Sequence, residues 1–71
     1  MKIIKSVKLR YIDEKSDKIW RAELMENSDV TCFWGRYGNE LQSKLFPSVG
    51  ETFLNKKMNE KIVKGYELVE E

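Results

Sequence analysis

The spacing of apolar residues changes once along this chain, at Phe46-Pro47, and that change limits the folds open to it. Before it, apolar and polar side chains alternate at every second position, the period of a strand with one buried face. After it, Leu54, Met58 and Ile62 recur every four residues with Phe53 beside them, as on one face of a helix. A chain of 71 residues carrying both periods is one small α+β domain, near the lower size at which a core sustains a fold unaided.

The alternating part divides into four strands. Residues 5–12 set Val7, Leu9 and Tyr11 against Lys8 and Arg10, and the polar run 13–18 reads as a turn. Residues 19–25 place Trp20, Ala22 and Leu24 on one face and Arg21 and Glu23 on the other. Glu26-Asn27-Ser28-Asp29 is a compact turn signal, so the second and third strands should form a hairpin. Residues 30–37 are rich in β-branched and aromatic side chains. A turn at residues 38–40 leads into a fourth strand at residues 41–46.

Ser48-Val49-Gly50-Glu51 then has the form of a capping box, with Ser48 as N-cap and Glu51 at the third helical position. Gly65 stands where a helix-ending glycine belongs, and residues 66–69 suit a short last strand. The expected order is β-β-β-β-α-β: an antiparallel sheet of four to five strands with one amphipathic helix packed on one face. Residues 1–6 read as an N-terminal extension or the start of the first strand, and the whole of residues 1–71 as a single domain.

Composition removes several function classes. The chain has no histidine, so the commonest general base is absent and no serine or cysteine has a histidine to activate it. Cys32 is the single cysteine, which rules out a disulfide within the chain and a Cys/His metal site. No glycine-rich phosphate loop is present. The expectation is a non-enzymatic domain without metal, cofactor or small-molecule substrate. Lysines and an arginine interrupt the apolar residues of the N-terminus, so no signal peptide or membrane-spanning stretch is expected. A cytoplasmic location follows as the expectation.

Charge is nearly balanced, with 13 basic and 12 acidic residues and a net charge of +1. The functional candidates lie in Trp34-Gly35-Arg36-Tyr37-Gly38 and the nearby Gln42-Ser43-Lys44. Trp, Arg and Tyr are side chains that act on partner surfaces, and glycines let another molecule approach the backbone closely. Trp34 shares the inner face with Val30 and Cys32 by alternation, so it serves the core, a ligand, or both. Arg36 carries a rigid fork of donors that fits phosphate oxygens, or a carboxylate such as Glu40 or Glu23. Tyr37 points to the face opposite Arg36. Gln42 and Ser43 are either ordinary strand positions or part of a polar edge, and Lys44 is the stronger phosphate candidate. The helix lysines read as a solvated face, and Cys32 as a small buried residue.

With these residues in place, the chain resembles a WGR domain, a family named for the tripeptide that stands here as Trp34-Gly35-Arg36. The likeness runs from about Leu9 to Val69. Its anchors are Lys18-Ile19-Trp20, the WGRYG run, Gln42, and Lys64-Gly65-Tyr66. WGR domains accompany the catalytic domain of several poly(ADP-ribose) polymerases, where they bind DNA near strand ends. In bacteria they occur alone or beside molybdate-regulation-like proteins. The resemblance implies a module that binds nucleic acid, most simply duplex DNA near an end, through Trp34, Gly35, Arg36, Tyr37, Gly38, Gln42, Ser43 and Lys44, with the helix lysines nearest the motif adding non-specific phosphate attraction. The alternative is a protein-interaction module using Trp34, Arg36 and Tyr37. This chain departs from the family pattern with Leu41 in place of a glycine and Phe33 in place of a basic residue.

Overall fold

A computed structural model describes residues 2–69. Five strands and one helix follow in the expected order: β1 (Ile3–Ile12), β2 (Asp17–Met25), β3 (Val30–Arg36), β4 (Gln42–Phe46), α1 (Gly50–Val63) and β5 (Glu67–Leu68). All strand pairs are antiparallel, in the spatial order β4-β3-β2-β1-β5. Residues 3–6, read from the sequence as extension or strand start, belong to β1. A bulge between Ile3 and Lys5 leaves Ile4 as the extra residue in the pairing with β2.

Alternation along the strands gathers the core on one face, and Ile19, buried opposite Arg10, is the exception on the other. Leu9 on β1, Trp20, Ala22 and Leu24 on β2, and Val30 and Cys32 on β3 form the core with Leu54 of α1. Opposite pairs such as Leu9 and Trp20, or Ala22 and Cys32, stand directly across the ladder, the contact from which sheets draw most of their stability. Phe46 and Phe53 close one end of this layer, with ring centroids 4.8 Å apart. Tyr11 and Tyr66 close the other at 5.5 Å. Cys32 is buried as expected, and that burial raises its thiol pKa above the ordinary range.

Two helix expectations are corrected. Ser48 is not the N-cap. The cap is Val49, with no side-chain hydrogen bond, because Ser48 takes φ 55° and its amide donates to Asp29 Oδ1 at 2.9 Å. The amide of Gly50 likewise donates to the Ser28 carbonyl. The chain entering α1 is thus tied to the β2–β3 turn, which takes the place of a capping box.

The second correction is Ile62, which is 46% exposed while Leu54 is fully buried. At about 100° per residue, a spacing of four drifts about 40° each step, so Ile62 lies about 80° from Leu54 around the axis. Lys61 lies only about 20° away, and it is half-buried. The C-terminus does follow expectation. The amide of Gly65 donates to Ile62 and that of Tyr66 to Lys61, the paired bonds of a Schellman ending. Gly65 has φ 110°, and a Cβ there would sit 3.0 Å from the Tyr11 ring, so glycine is required twice over.

Candidate functional site

Trp20 and Trp34 face each other across β2 and β3, yet their surroundings differ. Trp20 is 4% exposed beneath the core, whereas Trp34 is 36% exposed. The difference follows from position. Trp20 is an inner strand residue beside Leu9, while Trp34 lies next to β4, where its opposite residue is the exposed Gln42. Trp34 thus stands on the core side of the sheet by register but is partly open to solvent.

The open part lines two adjoining concavities. One, of about 450 Å³, brings Trp34, Gly35 and Arg36 together with Lys18, Lys61 and Tyr66. The other, of about 290 Å³, sets Trp34 beside Lys57, Lys61 and Lys64 of the helix end. A third hollow continues from Lys61 and Lys64 to Lys18, Tyr11 and Tyr66. Lys61 borders all three, so amines from the sheet edge and from the last turns of α1 surround one exposed indole. The acids nearby are Asp13, Asp17 and Glu60, of which Glu60 lies 3.5 Å from Lys57 and Asp17 is paired with Arg10.

Burial lowers the pKa of Lys61 first, and the charges of Lys64 and Lys57 push it the same way. An ammonium that is both partly desolvated and crowded by like charges gains when an anion arrives. A negative group brought into these hollows would relieve that crowding.

The sequence candidates divide between the two faces of the sheet. Trp34, Gln42 and Lys44 lie on the helix side by ladder register, and Arg36 borders the Trp34 cleft. Among the described residues Arg36 forms no ion pair. Glu23 belongs to the opposite face, where it stands across from Ser6 and Thr31. Lys44 rests 5.2 Å from the Phe46 ring centroid. Gly35 takes φ 155°, and a Cβ there would meet Leu41 Cδ2 at 3.2 Å. Leu41, the departure from the family pattern, thus packs over the glycine of the motif. Gly38 sits third in a turn closed by the Asn39 amide on the Arg36 carbonyl, 3.1 Å long.

Tyr37 and Ser43 lie away from this cleft. Ser43 is opposite Phe33 on the outer face. Tyr37 is covered by Arg10, whose guanidinium carbon is 3.7 Å from the ring centroid. Arg10 in turn donates from Nε and Nη2 to both carboxylate oxygens of Asp17, at 2.9 and 2.8 Å. Lys57, Lys61 and Lys64 of α1, a solvated face by residue type alone, border the hollows beside Trp34 that Tyr37 and Ser43 do not. Their signal was the helical angle between Lys61 and Leu54.

The Arg10 hydrogen bonds hold the Asp17 carboxyl below the usual carboxylate range. Asp13 is lowered by the Lys15 amide and then the Tyr11 hydroxyl, and Glu51 by Lys5. A carboxylate whose folded pKa is depressed contributes stability above its unfolded value of about 3.9, and that stability is lost as pH falls through the folded value. Thermal midpoints followed by circular dichroism should fall as the solution is acidified below pH about 4. Asp17→Asn should make that decline shallower, and an unchanged decline would remove Asp17 from the account.

Among the described residues, no group of three His, Cys, Asp or Glu side chains is placed to hold a metal ion, and no helix is long and apolar enough to cross a membrane. No family model, curated protein or solved structure matches the chain.

Proposed function

We propose that this chain is a non-catalytic nucleic-acid-binding module that holds duplex DNA near an end through phosphate and sugar contacts. The observation that carries the reading is Lys61, which borders every hollow around the half-exposed Trp34 and is joined there by Lys18, Lys57 and Lys64. Lysine amines suit phosphates because a point charge needs no fixed geometry. An indole open on one side suits a sugar or a terminal base. The resemblance of Trp34-Gly35-Arg36 to the WGR tripeptide points the same way. The lysines that line the cleft suit phosphates and not base edges, so sequence preference is not expected.

The protein-interaction reading draws less support, because its three residues do not share a surface. Trp34 and Arg36 border the cleft, whereas Tyr37 is held under Arg10 on the far side of the sheet.

The test is a titration of the chain with a short blunt duplex at low salt, followed by amide shifts in NMR. Amides around Trp34 and the last turns of α1 should move. Trp34→Ala should weaken binding by about 1–3 kcal/mol, the worth of one stacking contact, while leaving the fold intact because Trp20 carries the core. Absence of binding at low salt, or a Trp34→Ala variant that binds as well, would sink the proposal.

A further inference from the structure

The helix covers one face of the sheet; on the other, away from the Trp34 cleft, no helix packs, and Ile19 is buried at one end opposite Arg10. Ladder register sets Phe33, Arg21 and Lys8 in one row across this outer face, and Leu45, Thr31 and Glu23 in the next. Leu45 is 54% exposed. The Arg21 guanidinium lies over the Phe33 ring, 4.3 Å from its centroid, and its Nε is buried with no hydrogen-bond partner. Among the described residues neither Arg21 nor Glu23 enters an ion pair.

The sign of the face decides what suits it. By register it carries Lys8, Arg10 and Arg21 against Asp17, Glu23 and Glu67. Three cations against three carboxylates offer nothing to a polyanion, whose partners need an excess of positive charge. A surface with both signs and exposed apolar groups is complementary to itself. In a two-fold contact, if residue i meets residue j, then j meets i. Arg21 and Glu23 are two residues apart on β2 and point to the same side, so a two-fold axis crossing the strands between them sets each over the other.

We propose that the outer face packs on the same face of a second copy of the chain, with Arg21 of each copy meeting Glu23 of the other. At about 4.8 Å between strands and about 3.3 Å per residue, the face measures on the order of 20 by 25 Å. That is smaller than the roughly 800 Å² each partner contributes to a standard interface. The dimer is therefore weak and concentration-dependent, and both Trp34 clefts stay open on its outer surfaces.

Sedimentation equilibrium from micromolar to millimolar protein tests this directly. The mass should rise from one copy toward two. Arg21→Glu and Glu23→Arg should each raise the dimer Kd by about 10-fold or more, through like charges brought together. The double variant carrying both should return toward the original Kd. Circular dichroism checks the fold, and where Arg21→Glu fails it, Arg21→Gln and Glu23→Gln provide the same comparison with a smaller change. A monomer at millimolar concentration, a dimer indifferent to both single substitutions, or a double variant without recovery would overturn the proposal. So would outer-face amides that shift with an added single-stranded oligonucleotide but not with dilution. None of these substitutions touches the Trp34 cleft, so duplex binding stands or falls separately.

Discussion

Leu54→Ala is expected to cost about 2–5 kcal/mol, the range for a large buried aliphatic side chain cut to a methyl. Leu54 is the fully buried residue of α1 and sits within the core cluster of β1, β2 and β3, with Phe53 and Met58 packed against it from the same helix. Native domains hold about 0.05–0.15 kcal/mol per residue, so a chain of 71 residues has little in reserve against such a loss. Urea unfolding should show a large drop in midpoint with little change in slope. Ile62→Ala is the matched comparison. Ile62 is 46% exposed, and its truncation should stay within about 0.5 kcal/mol of the parent. Equal costs at the two positions would mean that the helix is seated differently from the arrangement described above.

The second large effect concerns binding. Replacing Lys57, Lys61 and Lys64 together by Gln should flatten the dependence of duplex affinity on salt. Each phosphate contact contributes about 0.9 to the slope of log K against log salt, so three lost contacts remove about 2.7 of it. At low salt the loss should be several orders of magnitude, and it should shrink as salt rises. Lys2→Gln with Lys8→Gln, two charges that line none of the hollows around Trp34, makes the comparison for net charge alone. A slope unchanged by the helix substitutions would mean that phosphates lie elsewhere. Because none of these lysines belongs to the buried core, the fold should survive their removal. Lys61→Gln should also relieve the crowding of its neighbours, so a modest gain in stability alongside lost binding is expected.

Much of the fold is legible in particular residues. Alternation around Leu9, Trp20, Ala22 and Val30 identifies the buried face, because a strand repeats every two residues whatever its neighbours are. Gly65 marks the helix end, because only glycine takes its φ without strain and without striking Tyr11. The helix start misleads for a tertiary reason. Ser48 and Glu51 have the right spacing for a capping box, but Asp29, 19 residues earlier, captures the Ser48 amide and holds that residue at positive φ.

The site is less legible than the fold. Trp34 and Arg36 are recognisable by residue type, and alternation places Trp34 on the helix side. Tyr37 looks equally suited to a partner, but it lies on the side of Arg10, 27 positions away in sequence, which stacks on its ring, and not in the Trp34 cleft. Lys57, Lys61 and Lys64 look like any solvated helix lysines in a linear reading. Their approach to Trp34 depends on which helical angle faces the sheet, and Leu54 sets that angle.

By itself the sequence determines what is local: two periods, the change at Phe46-Pro47, the turns, and a Trp-Gly-Arg run. Periodicity is a property of a single segment, so no fold is needed to read it. Tertiary structure alone decides how α1 is rotated on the sheet, that its end leaves Trp34 uncovered, and that three lysines gather there. Those are relations between segments far apart in the chain, and packing against Leu54 fixes them.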